Sequence, residues 1–200
     1  MMNILIIVAH PDDETIGMGG TIKKLSKNNE ITLCVVTDGA SAQYDDKKMI
    51  KVRQNACKKA GKILGISKFY FLNFPDMKLD SISHLEMNKE LEKIIKKINP
   101  KILYSTSYND LNKDHQKVFE SCSVISRPLS SKIKKFLCFE MGGRNKIPFN
   151  PNTYVDISKE LSFKLKALNQ YKTEINPFPH ERSLKFIESL SHVRGVESGF

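Results

Sequence analysis

The sequence predicts an α/β fold, a Rossmann-like and mostly parallel sheet flanked by helices. Three observations carry this. Short β-branched runs alternate with longer stretches of helical period, the pattern of strands joined by crossover helices. Polar clusters follow those runs at once, and parallel sheets build their sites there, at the carboxyl ends of the strands. The 200 residues hold no internal repeat, low-complexity tract or linker, so a single domain is expected over 1–200. A chain of that length buries roughly 70% of the surface its unfolded form exposes.

The first strand is expected over Asn3–Ala9, an apolar run too short to span a membrane and without the basic flank and cleavage site of a leader. "TIGMGGTIKKLSK" then carries apolar residues at three-to-four spacing and predicts a helix. Further strands are expected at Ile31–Thr37, Phe69–Asn73 and Ile102–Ser105. Between them lie the helices "KKMIKVRQNACKKAGKILG", stopped by Gly65, and "HLEMNKELEKIIKKINP", stopped by Pro100. The remainder predicts a helix from Asp114 to Ile125, a strand in "KKFLCFEM", a shorter strand in "TYVDI" and a helix in "KELSFKLKALNQY". The loop "NPFPH" and a last helix near "RSLKFIESL" complete the order.

Composition narrows the function classes. The formal net charge is +10, yet the lysines are spread along amphipathic segments, and there is no RNP-like motif, zinc-finger spacing or tryptophan. No nucleic-acid partner is expected. A phosphate-bearing small molecule, peripheral contact with an anionic membrane and assembly into a homo-oligomer all stay compatible with the charge. Cys34, Cys57, Cys122 and Cys138 form no CxxC pair, and three of them sit in or beside apolar runs, which suits a reduced, cytoplasmic protein.

Four polar clusters should meet on one sheet edge: "HPDDE" after the first strand, "TDG" after the second, "FPDM" after the third and "SYNDLNKDH" after the fourth. His10, Asp13 and His115 make two imidazoles and a carboxylate, the ligand set of a catalytic metal site with an open position. Zinc is the usual occupant and ferrous iron suits the same donors. Such an ion makes hydroxide available near neutral pH, and Asp12 could take the proton of that water as general base. Taken alone, Asp12 or Asp13 would more often be a helix cap, and His115 an ordinary residue of a helix start.

"AHPDDE" followed by "GMGGTI" resembles the motif of the PIG-L/LmbE-like N-acetylglucosaminyl deacetylase family. "VVTDG", "RQNACKKAGKILG", "FLNFPDMKL", "DLNKDHQKVFESC", "KLKALNQY" and "VRGVESG" are similar to later family motifs in the same order. The resemblance implies an LmbE-like deacetylase domain over 1–200 that removes an acetyl group from an amino-sugar derivative by attack of zinc-bound hydroxide. It implies a zinc on His10, Asp13 and His115, with Asp12 as base. Arg53 is implied at the substrate side, and Asp76 and Thr37 at the site edge where substrate would bind; Glu14 has no catalytic role by spacing and is expected to support the ligands or the helix start.

Departures from the family pattern bear on the substrate. Many relatives read His-Pro-Asp-His where this chain reads "NKDH", so Asn112 stands at the position of the oxyanion-stabilising histidine. An amide donates a hydrogen bond but cannot act as an acid. Either Asn112 suffices for the oxyanion, or another histidine supplies the proton, with His192 preferred over His180; His84 lies too far from the strand ends. Competing readings are hydrolysis of another amide (a formamide or a thiol-glycoside precursor), a sugar-binding protein with decayed catalysis, and a Rossmann nucleotide binder using "GMGG". The last lacks the third glycine at the proper spacing.

Overall fold

In the computed structural model, which describes every residue except Arg144, the apolar runs become five parallel strands. These are β1 (Asn3–Val8), β2 (Glu30–Thr37), β3 (Lys68–Phe74), β4 (Ile102–Thr106) and β5 (Lys135–Phe139), in the order β3-β2-β1-β4-β5. β1 is apolar along nearly its whole length because both faces are covered. Ile4, Ile6 and Val8 join one core, Leu5 and Ile7 the other, and all five are fully buried. Each such side chain stabilises the fold by about 1.5–3 kcal/mol relative to exposure.

The helices supply the outer layers. α1 (Asp13–Leu25), α2 (Lys48–Leu64), α5 (Leu161–Leu168) and α6 (Leu184–Ser198) send Ile16, Ile22, Cys57, Leu64, Leu168 and Ile187 to the first core. α3 (His84–Ile98) and α4 (Lys113–Ile125) cover the other face. On α3 the buried positions Met87, Leu91, Ile94 and Ile98 recur every three or four residues, and the helix ends where Asn99 turns left-handed before Pro100. α2 ends the same way at Gly65. No helix is long and apolar enough to cross a membrane.

One expected element is absent. "TYVDI" forms no strand; its residues run as an irregular segment after β5. Ile157 lies where a side chain on Gly20 would be, and Lys24 donates to the Asp156 carbonyl, so the segment is anchored on α1 instead of on a ladder. The strand order reverses between β1 and β4, because β1 is followed outward by β2 and β4 by β5. The crevice beyond the carboxyl ends of those two strands is the place where open α/β sheets bind ligands.

Candidate metal centre and active site

That crevice receives "HPDDE" from β1 and "NDLNKDH" from β4. His10 Nδ1 lies 3.1 Å from His115 Nε2, Asp13 Oδ1 lies 3.3 Å from His115 Nε2, and Asp13 Oδ2 lies 3.5 Å from His10 Nδ1. A tetrahedral ion with bonds of about 2.0–2.1 Å separates neighbouring ligand atoms by roughly 3.3–3.4 Å. The three groups therefore lie near enough together to hold one ion, with one ligand atom from each within 4.8 Å of the others. Asp13 Oδ1 is buried and makes no hydrogen bond, while Oδ2 accepts from the His10 backbone at 2.8 Å, so one oxygen is held and the other is spare.

Each imidazole is oriented from behind. His115 Nδ1 pairs with Asp110 Oδ2 at 2.7 Å, and His10 Nε2 stands 3.2 Å from both Asp114 Oδ2 and Asp76 Oδ1. Hydrogen-bonded carboxylates fix the tautomer and strengthen the donor of a metal-binding histidine. Asp114 also accepts from the backbone of Met77 (2.8 Å) and Leu79 (3.1 Å), which ties the loop after β3 to the centre. Burial pulls both histidines down, but Asp13 with Asp114 and Asp76 raises His10 well above its ordinary value, and Asp13 with Asp110 carries His115 to about 9. Rings this basic bind a proton tightly when no metal competes for them.

Asp12 differs from its neighbours. Its backbone is left-handed (φ 133°), its side chain caps no helix, and neither carboxylate oxygen makes a hydrogen bond although both are buried. A strained carboxylate whose oxygens accept no hydrogen bond is a poor cap and a good candidate for proton transfer. Burial pushes its pKa up to about 6, against the pull of Arg182 and Arg53. The Asp12 N–H donates to Glu14 Oε2 (3.3 Å), and Glu14 Oε1 accepts from Tyr171 (2.6 Å) and Thr15 (2.5 Å). Arg53, 3% exposed, donates to the carbonyls of Gly39 and Pro11, holding the turn from which Asp12 projects. Gly39, at φ +64°, lies against the Pro11 ring where no side chain would fit.

The sequence-derived site is thus gathered in part. His10, Asp12, Asp13, Asp76 and His115 meet, with Arg53 beneath them. Thr37 hydroxyl donates to the Ala9 carbonyl at 2.7 Å and fastens β2 to the turn. Asn112 caps α4: its Oδ1 accepts from Asp114 N (2.8 Å) and His115 N (3.4 Å), and its Nδ2 faces the Met77 sulfur at 3.7 Å. His192 is exposed on α6 and lines a groove of about 870 Å³ whose walls include none of His10, Asp12, Asp13 or His115. His180 is exposed and accepts from Arg182 N. Sequence reasoning passed over Asp110 and the part Asp114 plays behind His10; it gave no role to Tyr171, the last residue of "KLKALNQY", and it missed Glu174 and Arg182, which follow α5.

Fold and site together define a parallel α/β protein with a two-histidine, one-carboxylate centre at its topological switch point. The sequence profile of PIG-L, GlcNAc-PI de-N-acetylase, matches residues 5–125, and the chain belongs to that family. It is 28% identical over 213 residues to a diacetylchitobiose deacetylase of Thermococcus kodakarensis, covering 98% of this chain and 79% of the relative. It is 29% identical over 179 residues to an uncharacterized deacetylase of Escherichia coli, covering 85% of this chain and 90% of the relative. Among solved structures, the N,N'-diacetylchitobiose deacetylase of Pyrococcus horikoshii superposes with a TM-score of 0.81 at 26% identity, over 99% of this chain and 80% of that one. A 4-carboxy-2-hydroxymuconate hydratase of Pseudomonas putida shares the fold (TM-score 0.71, 18% identity, 99% of this chain and 88% of that one).

Proposed function

We propose that the chain is a zinc-dependent N-deacetylase that removes an acetyl group from an amino-sugar derivative, with residues 1–200 acting as one catalytic unit. The observation that carries it is the convergence of His10, Asp13 and His115 at 3.1–3.5 Å beside the buried Asp12 carboxylate, whose oxygens accept no hydrogen bond. The deacetylases among the relatives support the amide substrate, and the nitrogen-rich ligand set supports zinc. An ion bound there makes a water nucleophilic near neutral pH and polarises the acetamide carbonyl.

The chain's own groups do the rest. Asp12 accepts the proton of the attacking water and, carrying it, is the acid that delivers it to the departing nitrogen. With its pKa near 6 it can serve both steps around neutral pH. Asp110, Asp114 and Asp76 keep both imidazoles aimed, and Arg53 and Glu14 keep the Asp12 turn in place. This assignment gives the proton to Asp12, since Asn112 serves as a cap and His192 stands in the other groove. The test is acetate release from N-acetylglucosamine derivatives, read by mass spectrometry beside metal content. Wild type should release acetate with about one zinc bound per chain. His115→Ala should lose both, and Asp12→Asn should keep the metal and lose turnover. A metal-free, fully active Asp12→Asn protein overturns the reading.

A further inference from the structure

The groove lined by His192 takes no part in the proposed reaction, and it holds a lysine without a partner. Its volume of about 870 Å³ is that of a small-molecule site. Part of the lining is aromatic: the Phe119 ring centre stands 5.9 Å from that of Phe136 and 5.5 Å from that of Tyr108. Lys164 of α5 lines the same groove, although the residue is only 7% exposed. Two glycines of "GMGG" allow this approach. A Cβ on Gly19 would lie 3.0 Å from Lys164 Cγ, and a Cβ on Gly17 would strike the Phe139 ring, so α1 packs close to the lysine stem and to the end of β5.

Among the described residues, no group accepts a hydrogen bond from the Lys164 ammonium. Glu140 is the carboxylate that acts on it, but Arg194 occupies both Glu140 oxygens, Nε donating to Oε2 at 2.8 Å and Nη2 to Oε1 at 2.7 Å. Burial pushes the Lys164 pKa down to about 8, and Glu140 offsets only part of that. A buried cation without a partner is costly, and an anion brought in from the groove reduces the cost.

We propose that the groove is a second ligand site, for a small apolar carboxylate whose headgroup pairs with Lys164 and whose apolar part lies along Phe119, Phe136 and Tyr108. A monoanion suits it better than a phosphate, because a single ammonium is free and the Glu140 carboxylate opposes further negative charge. The inference does not rest on the deacetylase reading.

The test is calorimetric binding of decanoate and of the neutral 1-decanol. Wild type should prefer decanoate by about tenfold or more, the size of one charge-assisted contact. Lys164→Met, which keeps the apolar stem and loses the charge, should bring that ratio close to one, with a thermal melt showing that it is folded. Phe119→Ala should weaken both ligands and keep the ratio. Lys166→Gln, which removes an exposed charge of the same helix, should change neither. A wild-type ratio near one overturns the proposal, as does a preference that survives Lys164→Met, which would seat the carboxylate elsewhere, or one that falls equally in Lys166→Gln. Sedimentation of the ligand-free protein reads the alternative occupant: a dimer that needs Lys164 and withstands decanoate assigns the groove to a second copy of the chain and overturns the proposal too. Acetate release from N-acetyl sugars is expected whatever the groove holds, so the failure of either reading leaves the other standing.

Discussion

Asp110→Asn isolates the support behind one candidate metal ligand, His115. Asp110 Oδ2 is 2.7 Å from His115 Nδ1, with both side chains largely buried. Across the ring, that carboxylate stands roughly 6–7 Å from an ion on Nε2, worth up to about 5 kcal/mol for a divalent charge at an effective dielectric near 20. Two effects reduce this. Asparagine keeps an oxygen that can accept from Nδ1, and the same carboxylate also strengthens the competing proton on His115. The expected loss of zinc affinity is therefore about 10–100-fold, or about 1.4–2.7 kcal/mol. It should be smaller at pH 7, where the proton competes, than at pH 9, where half of the His115 rings are already neutral. Competition against a chromophoric chelator at both pH values measures it, with the exposed Asp45→Asn as control. Unchanged affinity at both pH values, or a larger loss at pH 7, would refute the reasoning.

Other outcomes follow from the same geometry. Asp12→Asn should lower kcat by about 10²–10⁴-fold with zinc stoichiometry intact; a drop in bound zinc equal to the drop in rate would show a structural role instead. Tyr171→Phe removes the hydroxyl that donates to buried Glu14, and should cost about 1–3 kcal/mol in urea unfolding; a neutral result means that Glu14 needs no such partner. Burial pushes the Lys164 ammonium down to about 8 from 10.5, against the pull of Glu140. The folded state therefore binds its proton less tightly than the unfolded state does, and stability rises with pH from about 8 to 10.5. Lys164→Met should remove this cost, raising stability by up to about 3 kcal/mol at pH 7 and losing its advantage over wild type above pH 10.5. A gain independent of pH would assign the effect to packing.

The metal half was legible in the sequence because it depends on local rules. A carboxyl-end turn after β1 and another after β4 must meet if the strands are adjacent, so "HPDDE" and "DH" sufficed to name His10, Asp13 and His115 as ligand candidates. Asp114 was harder. Beside a ligand histidine at a helix start it reads as a favourable charge for the helix dipole, and only its complete burial behind His10 shows otherwise. Asn112 shows the reverse: a cap residue in a catalytic motif looks functional in sequence, and its Oδ1 is held by two backbone N–H groups. "TYVDI" misled because alternation predicts a half-buried strand only when a neighbour completes the ladder. The roles of Tyr171, Glu174 and Arg182 were not legible, although Tyr171 ends "KLKALNQY", since a side chain reaching across more than 150 residues, as Tyr171 does to Glu14, leaves no spacing to read.

That last group bears on where specificity resides. The family profile spans 5–125 and so contains the candidate ligands, Asp12, Arg53 and the three aspartates behind the histidines. The wall facing Asp12 from the other side is built by the segment that follows α5, with Glu174 shared between Arg53 and Arg182 and Tyr171 locked on Glu14. Two carboxylates and two guanidiniums there balance in charge, so exchanging one member changes the field first at Asp12, which both guanidiniums approach, and less at Asp13, which Arg182 acts on from farther away. The hydratase that shares this fold at 18% identity shows that the scaffold does not dictate the reaction. Substrate choice in this chain is accordingly expected to follow residues 171–182. Swapping that segment for its counterpart from the Thermococcus diacetylchitobiose deacetylase should move the preference among N-acetyl sugars while zinc affinity stays fixed. A swap that alters zinc affinity and leaves the preference unmoved would place specificity in the metal-bearing loops instead.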